Sequence, residues 1–163
     1  MITEFSKYVD KLPASGIRKF FDLVAQSDGD MISLGVGEPD FATPYSIRDE
    51  AIHTLEKGLT SYTSNRGLPE LRKAISKYLK TRFQCTYNAE TEILITHGVS
   101  QGVDLVFRSI LNPGDEVIIP EPAYVCYEPL IQMTGAKPIK LDTSKTNFIP
   151  DPKVLEKKIT KKN

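Results

Sequence analysis

The stretch THGVSQG, Thr96 to Gly102, places a glycine, a serine and a second glycine where an apolar run gives way to an amphipathic one. Glycine permits a tight turn. The first N–H groups of a helix lack intrahelical acceptors and face the positive end of its dipole. Gly98, Val99 and Ser100 therefore form a candidate anion site, with the Ser100 hydroxyl as a further donor and a phosphate group as its natural occupant. A plainer reading stands beside it, in which Ser100 is an N-cap and Gly98 a turn that ends a strand. Tyr124, following PEPA, offers a ring that stacks on a planar ligand or simply packs. Tyr62, in the polar SYTSNRG, is a further phenol or a surface aromatic. With two histidines in the chain, a histidine-based metal site has little to build on. His97 borders the anion loop, and His53 falls on a helix surface. No Ser/His/Asp or Cys/His constellation is visible. A dinucleotide fingerprint fits less well, because the loop reads G-x-x-x-G, although Glu121 stands near the distance of a ribose-binding acid.

The elements that would position these residues follow from proline, glycine and apolar spacing. In TPYSIRDEAIHTLEKG, Thr43 is placed to cap and Pro44 to open a helix, with Ile47, Ala51 and Leu55 on one face and Gly58 as its stop. LPELRKAISKYLKTRF predicts a helix opened by Pro69, with Leu71, Ile75, Tyr78 and Leu79 at helical spacing. From Glu92 the pattern becomes a buried strand in EILIT, a helix burying Val103, Phe107 and Ile110, an NPGD turn and the strand EVIIP. A helix over YVCYEPLIQMTG, stopped by Gly135, and the strand KPIKL follow, then a last helix near Asp151 to Thr160. Strand, helix, strand, helix, strand predicts an α/β fold with parallel strands. MISLGVGEPDFATP carries a short apolar run and a turn at Gly37 and Pro39.

The 163 residues are 40% hydrophobic and 26% charged, with a formal net charge of +0, so no basic excess points to nucleic acid. The basic KVLEKKITKKN reads as a solvated helix face or frayed end. Cys85 and Cys126 show no metal-like spacing and no secreted disulfide pattern. The N-terminus lacks the apolar core of a signal peptide, and no segment reaches the about 18 apolar residues that span a bilayer. These features predict a soluble, cytoplasmic protein.

Taken together, SLGVGEPDFATP, YTSNRGLPELRKAI and ITHGVSQGVDLVFRSILNPGDEVIIPEPAYVCY resemble the fold-type I, pyridoxal-phosphate-dependent aminotransferases of class I/II, in the family's order and spacing from about Leu12 onward. The resemblance implies the first part of the family's large domain, a three-layer α/β architecture on a mostly parallel sheet. Residues 1–43 would be an N-terminal arm and substrate-loop segment, and residues 44–163 the beginning of the cofactor domain. It implies pyridoxal 5'-phosphate as cofactor and amino-group exchange between an α-amino acid and a 2-oxo acid. Gly98, Val99 and Ser100 match the phosphate-binding turn, and Tyr124 matches the aromatic that stacks on the pyridine ring. Tyr62 matches the tyrosine that reaches the phosphate of a neighbouring subunit, which implies a homodimeric parent. Gly37 matches the residue whose amide meets the substrate carboxylate, and Ile17 a position bordering the substrate pocket. Gly67, Pro113 and Gly114 match positions of structural use.

The chain also departs from the family, whose members are considerably longer. Absent are the N-P-x-N-P-T-G asparagine, the aspartate beneath the pyridine nitrogen, the tyrosine at the ring oxygen, the Schiff-base lysine in S-x-S-K and the carboxylate-clamping arginine. None of Lys137, Lys140 and Lys145 stands in the lysine's motif, so the 163 residues alone are expected not to transaminate. In the family sheet the first strand lies apart from the second and third, so EILIT is expected to lack its neighbours. Two alternatives remain at this point: another fold-type I activity, such as a carbon-sulfur β-lyase, and a truncated, non-catalytic binding module.

Overall fold

The structure, a computed structural model, describes residues 6–13, 16–26, 37 and 39–163. The apolar run read at 31–36 lies outside the described residues. The chain divides into two units, one of Met1–Ala25 and His97–Asn163, the other of Gln26–Thr96.

The first unit is built on a strand-helix-strand crossover. Strand β1 (Glu116–Glu121) and strand β2 (Lys137–Asp142) pair in parallel, with Glu116 opposite Lys137 and Glu121 opposite Asp142. Parallel neighbours need a crossover, and the helix between them supplies it, Tyr127–Met133. Its Ile131 is fully buried and packs with Ile119 and Ala136, while Phe107, Leu111, Val117 and Tyr127 close around them. This is the α/β arrangement with a parallel sheet that the strand and helix pattern predicts. The crossover helix is shorter than its expected span. Pro122 to Cys126 forms a turn instead, with the Tyr127 N–H donating to the Tyr124 carbonyl at 3.2 Å, so Tyr124 lies on a loop.

Ahead of β1 stands the helix Val99–Ile110. Val103 and Phe107 are half-buried as expected, but Ile110 is exposed. Phe107 faces the core beside the crossover helix, and no described element of this unit covers the Ile110 side. The NPGD turn forms as read: the Asn112 N–H donates to Asp115 Oδ2 at 2.7 Å, and the Gly114 N–H reaches the Gly135 carbonyl at 3.0 Å. A short turn over 7–11 leads to a helix, Gly16–Ala25, in the arm. This helix is not among the elements predicted above, and its apolar Phe20, Phe21 and Leu23 are exposed. The last helix is short, Pro152–Glu156, opened by the Asp151 carboxylate accepting the Lys153 N–H at 2.8 Å. It stops well before Thr160. The β-branched Ile159 and Thr160 are weak helix formers, and the tail bonds to the sheet edge, where the Glu116 N–H donates to the Lys162 carbonyl at 2.7 Å.

The second unit holds the helices Tyr45–Glu56 and Pro69–Phe83. Pro44 is the N-cap of the first, and its carbonyl accepts the N–H groups of Ile47 and Arg48. Thr43 is therefore not the cap: the chain enters the helix one residue later, without a side-chain cap. Gly58, at φ +67°, ends it as expected. Ile47, Ala51 and Leu55 share a face, but that face is exposed. Ile75 and Leu79 are half-buried, while Leu71 and Tyr78 are exposed.

Arg72 is the buried residue of the second helix. Its Nη1 donates to the Ala89 carbonyl at 2.5 Å, and Nη2 lies 3.6 Å from the Glu90 carboxylate. Arg66 bonds the Glu90 carbonyl, and Ser76 the Tyr87 carbonyl at 2.6 Å. EILIT, expected as a buried strand, forms none. A strand exists only through its ladder, and no described strand lies beside it; the Ile95 N–H turns to the Arg66 carbonyl at 3.1 Å. Gly67 is required there, since its φ of +88° favours glycine and an added Cβ would stand 2.6 Å from the Ile95 Cβ.

Ile131 fills the centre of the crossover. Ile131→Ala is expected to lower the unfolding free energy by about 2–5 kcal/mol through lost burial and the cavity left behind. Urea denaturation of the 163-residue chain reads the shift of the midpoint.

Candidate cofactor site

The helix Val99–Ile110 starts at Gly98, whose φ of +83° needs no Cβ and whose open side would meet nothing within 4 Å. Its first helical bond runs from the Gly102 N–H to the Gly98 carbonyl. The amides of Val99, Ser100 and Gln101 precede that bond, and all three residues are exposed. A helix of this length carries a positive partial charge at that end.

Ser100 is not the N-cap. Gly98 occupies that place without a side-chain cap bond, and the Ser100 hydroxyl instead lies 3.2 Å from the Tyr124 hydroxyl, in hydrogen-bonding contact. The contact joins residues 24 positions apart in sequence, so the two strongest sequence candidates meet. The Tyr124 ring is half exposed and stands perpendicular to Tyr127, with centroids 5.7 Å apart.

Gln101 joins the turn as well. Its side-chain Oε1 accepts the His97 backbone N–H at 2.6 Å and lies 3.3 Å from His97 Nδ1. A glutamine at the third position of a helix is the sequence signal that marks such a capping role. His97 thus joins the turn, while His53 is exposed on its helix in the other unit.

Glu121, at the carboxyl end of β1, does not stand free for a ribose. Lys140 Nζ pairs with it at 3.1 Å and with Glu128 at 2.9 Å. Hydrogen bonding to Glu128, then to Glu121, holds the Lys140 ammonium above its ordinary pKa. The acid that the dinucleotide alternative would need is thus held in an ion pair. The loop after Glu121 is held by Thr143, whose N–H and hydroxyl donate to the Glu121 carbonyl at 3.0 and 2.6 Å. Beside Tyr124 opens a cleft of about 490 Å³, bordered by Leu12, Gly16, Glu121, Val125 and Glu128.

Ile17 is half-buried on the arm helix of the same unit. Gly37 and Tyr62 belong to the other unit; both are exposed, Tyr62 completely. Among the described residues no group of three or more His, Cys, Asp or Glu is arranged to hold a metal ion, and no helix is long and apolar enough to cross a membrane.

The sequence model of the family described as aminotransferase class I and II matches residues 29–163. The chain belongs to the class I and II aminotransferases. It is 49% identical over 144 residues to a putative aminotransferase of Bacillus subtilis, covering 88% of this chain and 37% of that protein. It is 47% identical to a probable N-acetyl-LL-diaminopimelate aminotransferase of the same organism, covering 92% and 38%. Among solved structures, the aspartate aminotransferase of Thermus thermophilus with maleate superposes with a TM-score of 0.88 at 31% identity, covering 98% of this chain and 43% of that one. The chain thus spans well under half the length of these aminotransferases.

Members of the class I and II aminotransferases use pyridoxal phosphate, and the residues present fit that group. A glycine-started helix offers exposed amides and a hydroxyl for the phosphate, and a half-exposed ring is tied to that hydroxyl.

The Lys140 ion pairs carry a pH signature. Because its folded pKa is raised above the ordinary 10.5, their contribution to stability is whole below that value and is lost as pH rises through the raised one. As pH rises above the ordinary 10.5, wild type is expected to lose more stability than Lys140→Met, as read by urea midpoints at increasing alkaline pH. Parallel alkaline limbs for the two chains would contradict the pairing.

Proposed function

We propose that the protein to which this chain belongs exchanges an amino group between an α-amino acid and a 2-oxo acid, and that this chain supplies the cradle for pyridoxal phosphate. The supporting observation is the 3.2 Å contact between Ser100 and Tyr124, which brings a helix-start anion site and an exposed aromatic ring to one place. When bound, pyridoxal phosphate supplies the electron sink that lets the α-proton of an amino acid leave.

The chain's own residues bind and orient. In this reading the amides of Val99 and Ser100, with the Ser100 hydroxyl, hold the phosphate where the helix dipole favours negative charge. Gly98 leaves the turn without a side chain. Tyr124 covers one face of the pyridine ring and excludes water from it. The Gly37 amide takes the substrate carboxylate, and Ile17 borders the substrate pocket. Tyr62, fully exposed on its loop, reaches the phosphate of a neighbouring subunit in a homodimer. Residues 1–43 serve as arm and substrate-loop segment, and residues 44–163 as the first part of the large domain. The protein works in the cytoplasm.

Titration of the 163-residue chain with pyridoxal phosphate, followed by absorbance, tests the cradle. Wild type is expected to bind, with Ser100→Ala and Tyr124→Ala each about tenfold weaker, the worth of one hydrogen bond or ring contact. Equal affinity in all three chains would sink it. Amino-group transfer is tested by following keto-acid release from an amino donor. The 163 residues are expected to give none above the free-cofactor background, and a longer product of the same reading frame that carries the Schiff-base lysine to give turnover. No turnover from the latter overturns the reaction.

A further inference from the structure

Gln101 occupies the third position of the helix that begins at Val99, and its side chain does not reach outward from there. It turns back over the helix start, where Oε1 accepts the His97 backbone N–H at 2.6 Å and stands 3.3 Å from His97 Nδ1. In the usual capping box the residue at this position returns to the N-cap amide. Here it passes Gly98 and takes the residue before it.

Two consequences follow. Gly98, with no side chain and a φ of +83°, is the residue of the turn whose type restricts the backbone least, and its flanks are held on both sides. Its carbonyl accepts the Gly102 N–H at 3.4 Å, while the residue on its other flank is tied to Gln101. The second consequence concerns donors. The acceptor of Gln101 is committed to His97, so it does not compete for the amides of Val99 and Ser100.

We propose that Gln101 is a positioning residue for the phosphate turn: by clamping His97 across Gly98 it fixes the direction in which the Val99 and Ser100 amides point. This rests on the pyridoxal-phosphate reading above and adds to it a residue that does not itself touch the cofactor. A purely helix-stabilising glutamine would change stability alone. A positioning glutamine changes the preference for a phosphorylated ligand over the same ligand without phosphate.

The test compares wild type, Gln101→Met and Gln101→Glu in the 163-residue chain. It measures hydrogen exchange of the His97 amide by NMR and the affinities for pyridoxal phosphate and for pyridoxal. Methionine matches the length of glutamine and lacks the acceptor. In Gln101→Met the His97 amide is expected to exchange about tenfold faster, and the preference for pyridoxal phosphate over pyridoxal to fall about tenfold, the worth of one hydrogen bond. Pyridoxal affinity itself stays at the wild-type value. Glutamate keeps the acceptor, so Gln101→Glu is expected to restore slow His97 exchange.

Unchanged exchange in Gln101→Met, or an unchanged preference for the phosphorylated ligand, overturns the role while leaving the cofactor reading standing. Uptake of neither ligand by wild type overturns the cofactor reading and this role together. If Gln101→Met does not fold, Gln101→Glu decides: slow His97 exchange supports the clamp, and fast exchange overturns it.

Discussion

The parallel pairing of β1 with β2 is the constraint on which the first unit depends. Parallel strands run out at the same end of the sheet, and the chain must cross over between them. The crossover helix brings Ile131 into the core against Ile119 and Ala136, and the loop that enters this helix carries Tyr124. Ligand sites in α/β sheets gather at the carboxyl ends of strands for the same reason. The loop leaving β1 and the start of the helix at Val99 come together here through side-chain contact between Tyr124 and Ser100.

Polar groups secure the loops that the sheet does not pair. Thr143 bonds the Glu121 carbonyl by both its N–H and its hydroxyl, which fixes where the loop to Tyr124 departs. Lys140 links Glu121 to Glu128 and so ties β1, β2 and the crossover helix by charge. These ion pairs are partly exposed, so they contribute less than the buried contacts of Ile131. In the second unit Arg72 does comparable work, with its buried guanidinium bound to the carbonyl of Ala89 and the carboxylate of Glu90.

Local chemistry was legible where one or two residues dictate the backbone. Pro69 opens a helix, Gly58 and Gly135 stop helices, and the NPGD turn closes through Asp115 as its composition predicts. Reading failed where the outcome depends on a neighbour. EILIT has the composition of a buried strand and forms none, in keeping with the expectation that its neighbouring strands would be missing. Ile110 has the spacing of a core residue and is exposed, because nothing described in its unit covers it. The arm helix Gly16–Ala25 has apolar spacing but no strong punctuation by proline or cap, and its apolar side chains find little burial.

The sequence by itself determined the glycine and serine of the anion turn, the phenol at Tyr124 and the family to which their order belongs. These follow from residue type and short spacing, which act over a few bonds. Only the tertiary structure decided that the Ser100 hydroxyl meets Tyr124 instead of capping its own helix, that Lys140 occupies Glu121, and that Gln101 folds back onto His97. Each of these is a choice among acceptors or donors within reach. Which of them lies within about 3 Å is settled by how the strands, crossover and turns pack.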